Sequence, residues 1–171
     1  MSTIAYSIRP AIPDDVPQIF DLILALAEYE QLSHTVNNSP TALAEHLFGP
    51  KPYAEALVAE VENQLVGFAL FFTNYSTFLT QPGLYLEDLF VLPAYRRQGI
   101  GTAFFQAIAK LALERGYGRF EWRVLAWNQP AIAFYQRLGA TVLPDWRTAR
   151  LLGEALRQLA IGHTRDRATT P

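Results

Sequence analysis

Arg96-Arg97-Gln98-Gly99-Ile100-Gly101 gathers two cations, an amide and two glycines within six residues, just ahead of a segment with helical periodicity. That grouping suits an anion. The first turn of a helix has N–H groups without an intrahelical partner and a partial positive charge, and glycines let a phosphate approach the main chain. A second grouping lies upstream, where Glu87 and Asp88 are adjacent in a run of strand-forming residues. Carboxylates there suit proton transfer or capture of a cation. In a regular strand successive side chains face opposite ways, so the pattern places at most one of the two in a given site. Glu28 and Glu30 flank Tyr29; with Glu87, Asp88, Tyr29 and Phe78 they could attract a cationic amine and sandwich its alkyl or aromatic body. His34, His46 and His163 have no ligand spacing and the chain has no cysteine, so no metal site is expected.

The elements that must position these groups follow from periodicity and punctuation. Residues 4–9 alternate as a strand, broken by Pro10 and Pro13; Asp14 or Asp15 then caps a helix reaching Tyr29, with Val16, Ile19, Phe20, Ile23, Leu26 and Ala27 on one face. After a polar loop, Ser39-Pro40 starts a short helix that Gly49-Pro50 stops. Residues 54–61 and 65–75 read as an antiparallel hairpin turning at Glu62-Asn63-Gln64. Residues 84–92 form the third strong strand, ended by Pro93. Residues 101–115 form a helix with Phe104, Ile108, Leu111 and Ala112 inward, closed by Gly116. A strand over 120–125, a helix over 130–138, last strands at Val142 and 146–151, and a short helix over 153–160 complete the series. Residues 161–171 read as a polar, disordered tail after one domain at 1–160.

With 171 residues, 50% of them hydrophobic, the chain suits one well-buried core. The formal net charge of -2 gives no broad attraction for nucleic acid or an anionic membrane, so a bound anion must be held locally. Absence of cysteine fits the reducing cytoplasm, and neither a signal peptide nor a run of about eighteen apolar residues is found. The glycine turn has rivals. It could be only a tight turn before a helix. A dinucleotide fingerprint fails because Phe104 replaces its third glycine and residues 93–98 separate strand from loop; a P-loop fails for want of Gly-Lys-Ser or Gly-Lys-Thr.

The sequence resembles the GNAT superfamily of acetyl-CoA-dependent N-acetyltransferases, whose pyrophosphate loop reads Arg or Gln, two variable residues, Gly, one variable residue, Gly or Ala. Arg96 to Gly101 fits every position. Tyr85-Leu86-Glu87-Asp88-Leu89-Phe90-Val91 before the loop and Trp127-Asn128-Gln129-Pro130-Ala131-Ile132-Ala133-Phe134-Tyr135 after it are similar to the diamine (spermidine/spermine) branch. Arg9-Pro10-Ala11, Ala27-Glu28-Tyr29-Glu30 and Trp146-Arg147 extend the likeness over about residues 8–159. The resemblance implies an α/β (α+β) fold: a single domain with a mixed, mostly antiparallel twisted sheet, helices on both faces and a splayed cofactor cleft. It implies acetyl-CoA as cosubstrate, its diphosphate on the N–H groups of Arg97, Gln98, Gly99, Ile100, Gly101 and Thr102, with the Arg96 and Arg97 side chains near the phosphates. Pantetheine would add to the strand edge at Phe90, Val91 and Leu92, where the Val91 N–H could stabilise an oxyanion. Asn128 would position cofactor or helix, and Tyr135 would protonate the departing sulfur, a role that suits a phenol of pKa about 10. A homodimer, in which residues 146–151 pair across the subunit boundary, is also implied.

The acceptor carries its own requirement. An alkylamine of pKa about 10.4 is only about one part in a thousand neutral near pH 7, a deficit of about 4 kcal/mol. A carboxylate acting directly or through water meets it, and Glu87 is the candidate base; a carboxylate holding a loop is the alternative. Tyr29, Glu30, Phe78, Glu87 and Asp88 would contact a diamine, polyamine or lysine-like small molecule. Ser33 and His34 stand where the diamine branch has acidic residues, which leaves thialysine, arylalkylamines and protein amines open. An acyl-CoA-binding module without turnover is the non-enzyme alternative, and Glu87 and Tyr135 argue against it.

Overall fold

Prolines and short turns cut the apolar runs into separate strands and helices. A computed structural model describes residues 4–37 and 39–162, which divide at Arg123 and Val124 into two compact units. The first holds a five-stranded sheet in sequence order: β1 (Ser7–Pro10), β2 (Glu55–Val61), β3 (Gln64–Ser76), β4 (Gln81–Val91) and β5 (Phe120–Trp122). The first four pair antiparallel and β5 joins β4 in parallel, so the sheet is mixed and unclosed. The β2–β3 connection is tighter than the sequence suggests. Only Glu62 and Asn63 lie outside the strands, with φ of 50° and 64°, the left-handed pair that a two-residue hairpin requires.

Helices cover both faces of this sheet. On one, α1 (Val16–Tyr29) presents Val16, Ile19, Leu22 and Leu26, and α2 (Pro40–Phe48) presents Leu43 and Leu47, to Val58, Phe68 and Phe90. On the other, α3 (Ile100–Glu114) buries Ile100, Phe104, Phe105 and Ile108, and the Phe105 ring meets Phe120 at 5.5 Å and Trp122 at 4.7 Å. Ser39 caps α2 as its sequence implies, accepting from Ala42 N at 3.1 Å. Asp15 does not cap α1. Its carboxylate accepts instead from Ile12 N at 2.8 Å and from both Arg9 terminal nitrogens at 2.6 and 2.9 Å, while Arg9 also binds Glu60 at 2.6 Å. That network ties β1, β2 and the entry to α1.

One irregularity in β4 reorganises everything downstream of it. Phe71 pairs with Leu86 and Leu70 with Asp88, which leaves Glu87 as an extra residue without an opposite number. Leu70 and Phe71 face opposite sides, and so therefore do Leu86 and Asp88, although they are two apart in sequence. Leu86 thus serves the α3 face, whereas Asp88 and Phe90 serve the α1 face. The parallel ladder with β5 also stops here, its last rung being Leu86↔Trp122. Beyond it β4 runs on to Val91 paired only with β3.

The second unit contains α4 (Gln129–Arg137) and α5 (Gly153–Ile161). The strands expected at Val142 and over 146–151 are absent from it. Residues 141–152 are exposed and without any ladder partner among the described residues, and an unpaired strand has nothing to offset its ordering entropy. β5 likewise ends at Trp122 rather than residue 125, and α5 extends through Ile161. The expected tail lies, from residue 163 onward, outside the described residues. Among the described residues, no helix is long and apolar enough to cross a membrane, and no group of three or more His, Asp or Glu side chains could hold a metal.

Candidate functional site

The turn between β4 and α3 has the geometry of an anion cradle. Arg97 takes φ of 62° and Gly99 φ of 90°, and this left-handed backbone turns the chain abruptly into the helix. Ala103 N donates to Gly99 O at 2.9 Å as the first helical bond, so the N–H groups of Ile100, Gly101 and Thr102 have no acceptor within α3. No side chain caps them. Orphaned donors, a glycine at the point of approach and the exposed Arg97 fit a diphosphate. Gly99 has little room behind it: a Cβ there would stand 3.3 Å from the Tyr6 hydroxyl, a neighbour that spacing alone does not reveal.

The two arginines of this turn are used differently. Arg97 is exposed, whereas Arg96 is partly buried with its Nε donating to Val91 O at 2.8 Å. The Arg96 guanidinium carbon lies 4.6 Å from the Tyr29 ring centroid and 5.3 Å from that of Phe90. The sequence grouped both side chains with the phosphates; the structure turns Arg96 toward the strand end and α1.

Val91 is where the open edge of β4 offers its main chain. Leu92 N donates to Val66 O at 2.9 Å, which makes Gly67↔Val91 a non-hydrogen-bonded pair whose Val91 N–H and C=O both point away from β3. Gly67 permits the approach, since a Cβ on it would fall 2.7 Å from Phe90 O. The Val91 N–H therefore faces the side from which β5 has already departed.

Glu87 and Asp88 share a face, contrary to the alternation expected of a regular strand. Glu87 Oε1 receives Arg123 Nη2 at 3.2 Å, and Arg123 also lies 5.9 Å from the Tyr85 ring, on the face opposite Leu84 and Leu86. The bulge returns Asp88 to that same face. Burial, followed by the charges of Glu87 and Glu30, pushes the Asp88 carboxyl up to about 6, with Arg123 opposing. Burial also raises Glu30 at the end of α1. Three carboxylates thus converge near the Tyr29 end of α1, while Glu28 stays exposed.

Phe78 does not join them. It is 96% exposed at the tip of the β3–β4 hairpin, and the strand from Gln81 to Glu87 spans about 20 Å. Arg123 was missed by sequence reasoning, because only the parallel register that opposes Leu86 and Trp122 brings it beside Glu87.

Asn128 and Tyr135 belong to the second unit. Asn128 caps α4, its side-chain oxygen accepting from Ala131 N at 3.3 Å, which leaves the amide nitrogen for another partner. Tyr135 lies in the last turns of α4, its ring 5.5 Å from Phe134, and its carbonyl accepts from Ala140 N at 3.1 Å.

Comparison with known proteins agrees with the geometry. A model of the acetyltransferase (GNAT) family matches residues 22–140. Over 164 residues the chain is 42% identical to a thialysine N-epsilon-acetyltransferase from Mus musculus, covering 90% of this chain and 96% of that protein. An L-ornithine N5-acetyltransferase from Arabidopsis thaliana is 34% identical over 197 residues, covering 89% and 86%. Among solved structures, an integron cassette protein from the V. cholerae mobile metagenome has a TM-score of 0.77 at 22% identity, covering 92% of this chain and 98% of that one, a likeness of fold.

Proposed function

The chain belongs to the acetyltransferase (GNAT) family, and we propose that it transfers the acetyl group of acetyl-CoA to the terminal amine of a small lysine-like molecule. That it is an N-acetyltransferase follows from the family and from relatives so named that match most of its length. The observation that carries the finer reading is the acidic face made by Glu87, Asp88 and Glu30, adjoining a strand end whose Val91 N–H is free of β3.

Acetyl-CoA, when bound, supplies an activated thioester. The first-turn N–H groups of α3 and the Arg97 side chain would hold its diphosphate, and the β4 edge at Phe90, Val91 and Leu92 would align its pantetheine arm. Val91 N–H points where negative charge on the acyl oxygen would need a donor. Glu30 and the carboxylate pair attract the ammonium, and Tyr29 offers its ring to the alkyl body. Glu87, held by Arg123, fixes the orientation of the pair, while Asp88 has the affinity for a proton that an ammonium losing one near neutrality requires. The base role foreseen for Glu87 is thereby shared between neighbours. Tyr135 remains the proposed acid for the departing sulfur, supported by the family resemblance, and the homodimer and cytoplasmic location belong to the same proposal.

The named activities of the relatives favour an α,ω-diamino acid over a polyamine. Purified protein with acetyl-CoA and a panel of thialysine, lysine, ornithine, spermidine and serotonin, followed by free-thiol release, tests the assignment. Thiol release should be fastest with one of the three amino acids. Preference for spermidine or serotonin would overturn the substrate class, and acetyl-CoA binding without thiol release on any amine would establish the non-catalytic module.

A further inference from the structure

Arg96 opens the anion-binding turn, yet its side chain is engaged elsewhere. One donor satisfies the outward-pointing carbonyl of Val91 at 2.8 Å, and the guanidinium carbon lies over the Tyr29 ring at 4.6 Å and the Phe90 ring at 5.3 Å from their centroids. Tyr29 and Phe90 are themselves 6.4 Å apart, so the guanidinium bridges the end of α1 and the end of β4. Val91 marks the donor side of the site and Tyr29-Glu30 the acceptor side. Only a planar cation with several fixed donors can hydrogen-bond one element while stacking on another; an ammonium provides charge without the flat face or the fork.

We propose that Arg96 is a positioning residue that fixes the amine-recognition end of α1 against the acyl-donor end of β4, and that its geometry rather than its charge performs this task. The proposal rests on the amine-acetyltransferase reading for its kinetic consequence, but its structural consequence can be read without it. Glu30 N donates to Leu26 O at 2.9 Å and Leu32 N to Ala27 O at 2.8 Å, so these amides report on how firmly the end of α1 is held.

The test uses the full chain with Arg96→Lys, Tyr29→Phe, Tyr29→Leu and the Arg96→Lys/Tyr29→Leu pair. Arg96→Lys keeps the charge and should leave acetyl-CoA affinity, measured by titration calorimetry, within about twofold of native, while raising KM for the best panel amine about fivefold. Hydrogen exchange at Glu30 and Leu32 should quicken in Arg96→Lys and Tyr29→Leu and stay native in Tyr29→Phe, which keeps the ring. In the Tyr29→Leu background Arg96→Lys should add little further rise in KM. Native amine KM in Arg96→Lys, native exchange at those amides, or fully additive effects in the double variant would each overturn the proposal. Should no amine be acetylated, the substrate reading fails, and the exchange measurement alone decides whether Arg96 holds the helix end.

Discussion

Asp88 and Glu87 are neighbours in sequence and share a face, but their surroundings differ. Glu87 has a guanidinium at 3.2 Å, whereas Asp88 is partly buried near two other carboxylates and is raised to about 6. A base with that value is mostly ionised at pH 7 and still accepts a proton readily. The native kcat/KM for amine should therefore fall on the acid side with an inflection near pH 6, and Asp88→Asn should abolish that inflection as well as lower the rate. An unchanged acid limb in the variant would return the base role to Glu87. That these two carboxylates lie on the strand leading to the glycine turn was legible in the sequence, and a proton-accepting role was the expectation drawn from it. Their division of labour was not, because it depends on Arg123, brought in by strand register, and on Glu30, brought in from α1.

At the scale of elements, the loop and the helix it starts were the most legible part of the molecule. Gly99 and Gly101 ahead of Phe104, Ile108 and Ala112 specify a turn feeding an amphipathic helix, and α3 begins at Ile100, one residue before the expected start. Gly101 lies in the first turn, among N–H groups with no helical acceptor. Gly101→Asp would place a carboxylate where an anion is to be held, so acetyl-CoA affinity should fall by 100-fold or more, on the order of 3 kcal/mol, with little change in melting temperature. Titration calorimetry giving native affinity would remove the diphosphate from this turn. What periodicity could not supply was the end of β5 or the missing strands in residues 141–152. Those residues have strand-forming side chains, but a strand exists only where a neighbour completes its hydrogen bonds, and propensity says nothing about neighbours.

At the scale of the whole molecule, stability concentrates where the chain closes its first unit. Arg9 grips Asp15 with two hydrogen bonds and Glu60 with two more, holding Asp15 below the usual carboxylate range against the burial that opposes it. A depressed carboxylate stabilises the fold above its unfolded value near pH 4, and the contribution disappears as pH falls through the lower folded value. Asp15→Asn should cost about 2 kcal/mol at pH 7, less than the loss from a fully buried pair because Arg9 keeps 31% of its side chain exposed, and denaturant titrations should show the deficit shrinking below pH 4. A deficit independent of pH would assign the loss to packing. The bulge at Glu87 has a consequence of another kind. It is a phase step in the strand: before it odd-numbered residues look toward α1, and after it even-numbered residues do. Removing that single residue would make Leu86 and Asp88 direct neighbours on opposite faces, so every rung and both faces of β4 would survive and only the carboxylate held by Arg123 would be lost. The bulge thus seats a second carboxylate on the α1 face while the packing on either side of the sheet stays that of a regular strand.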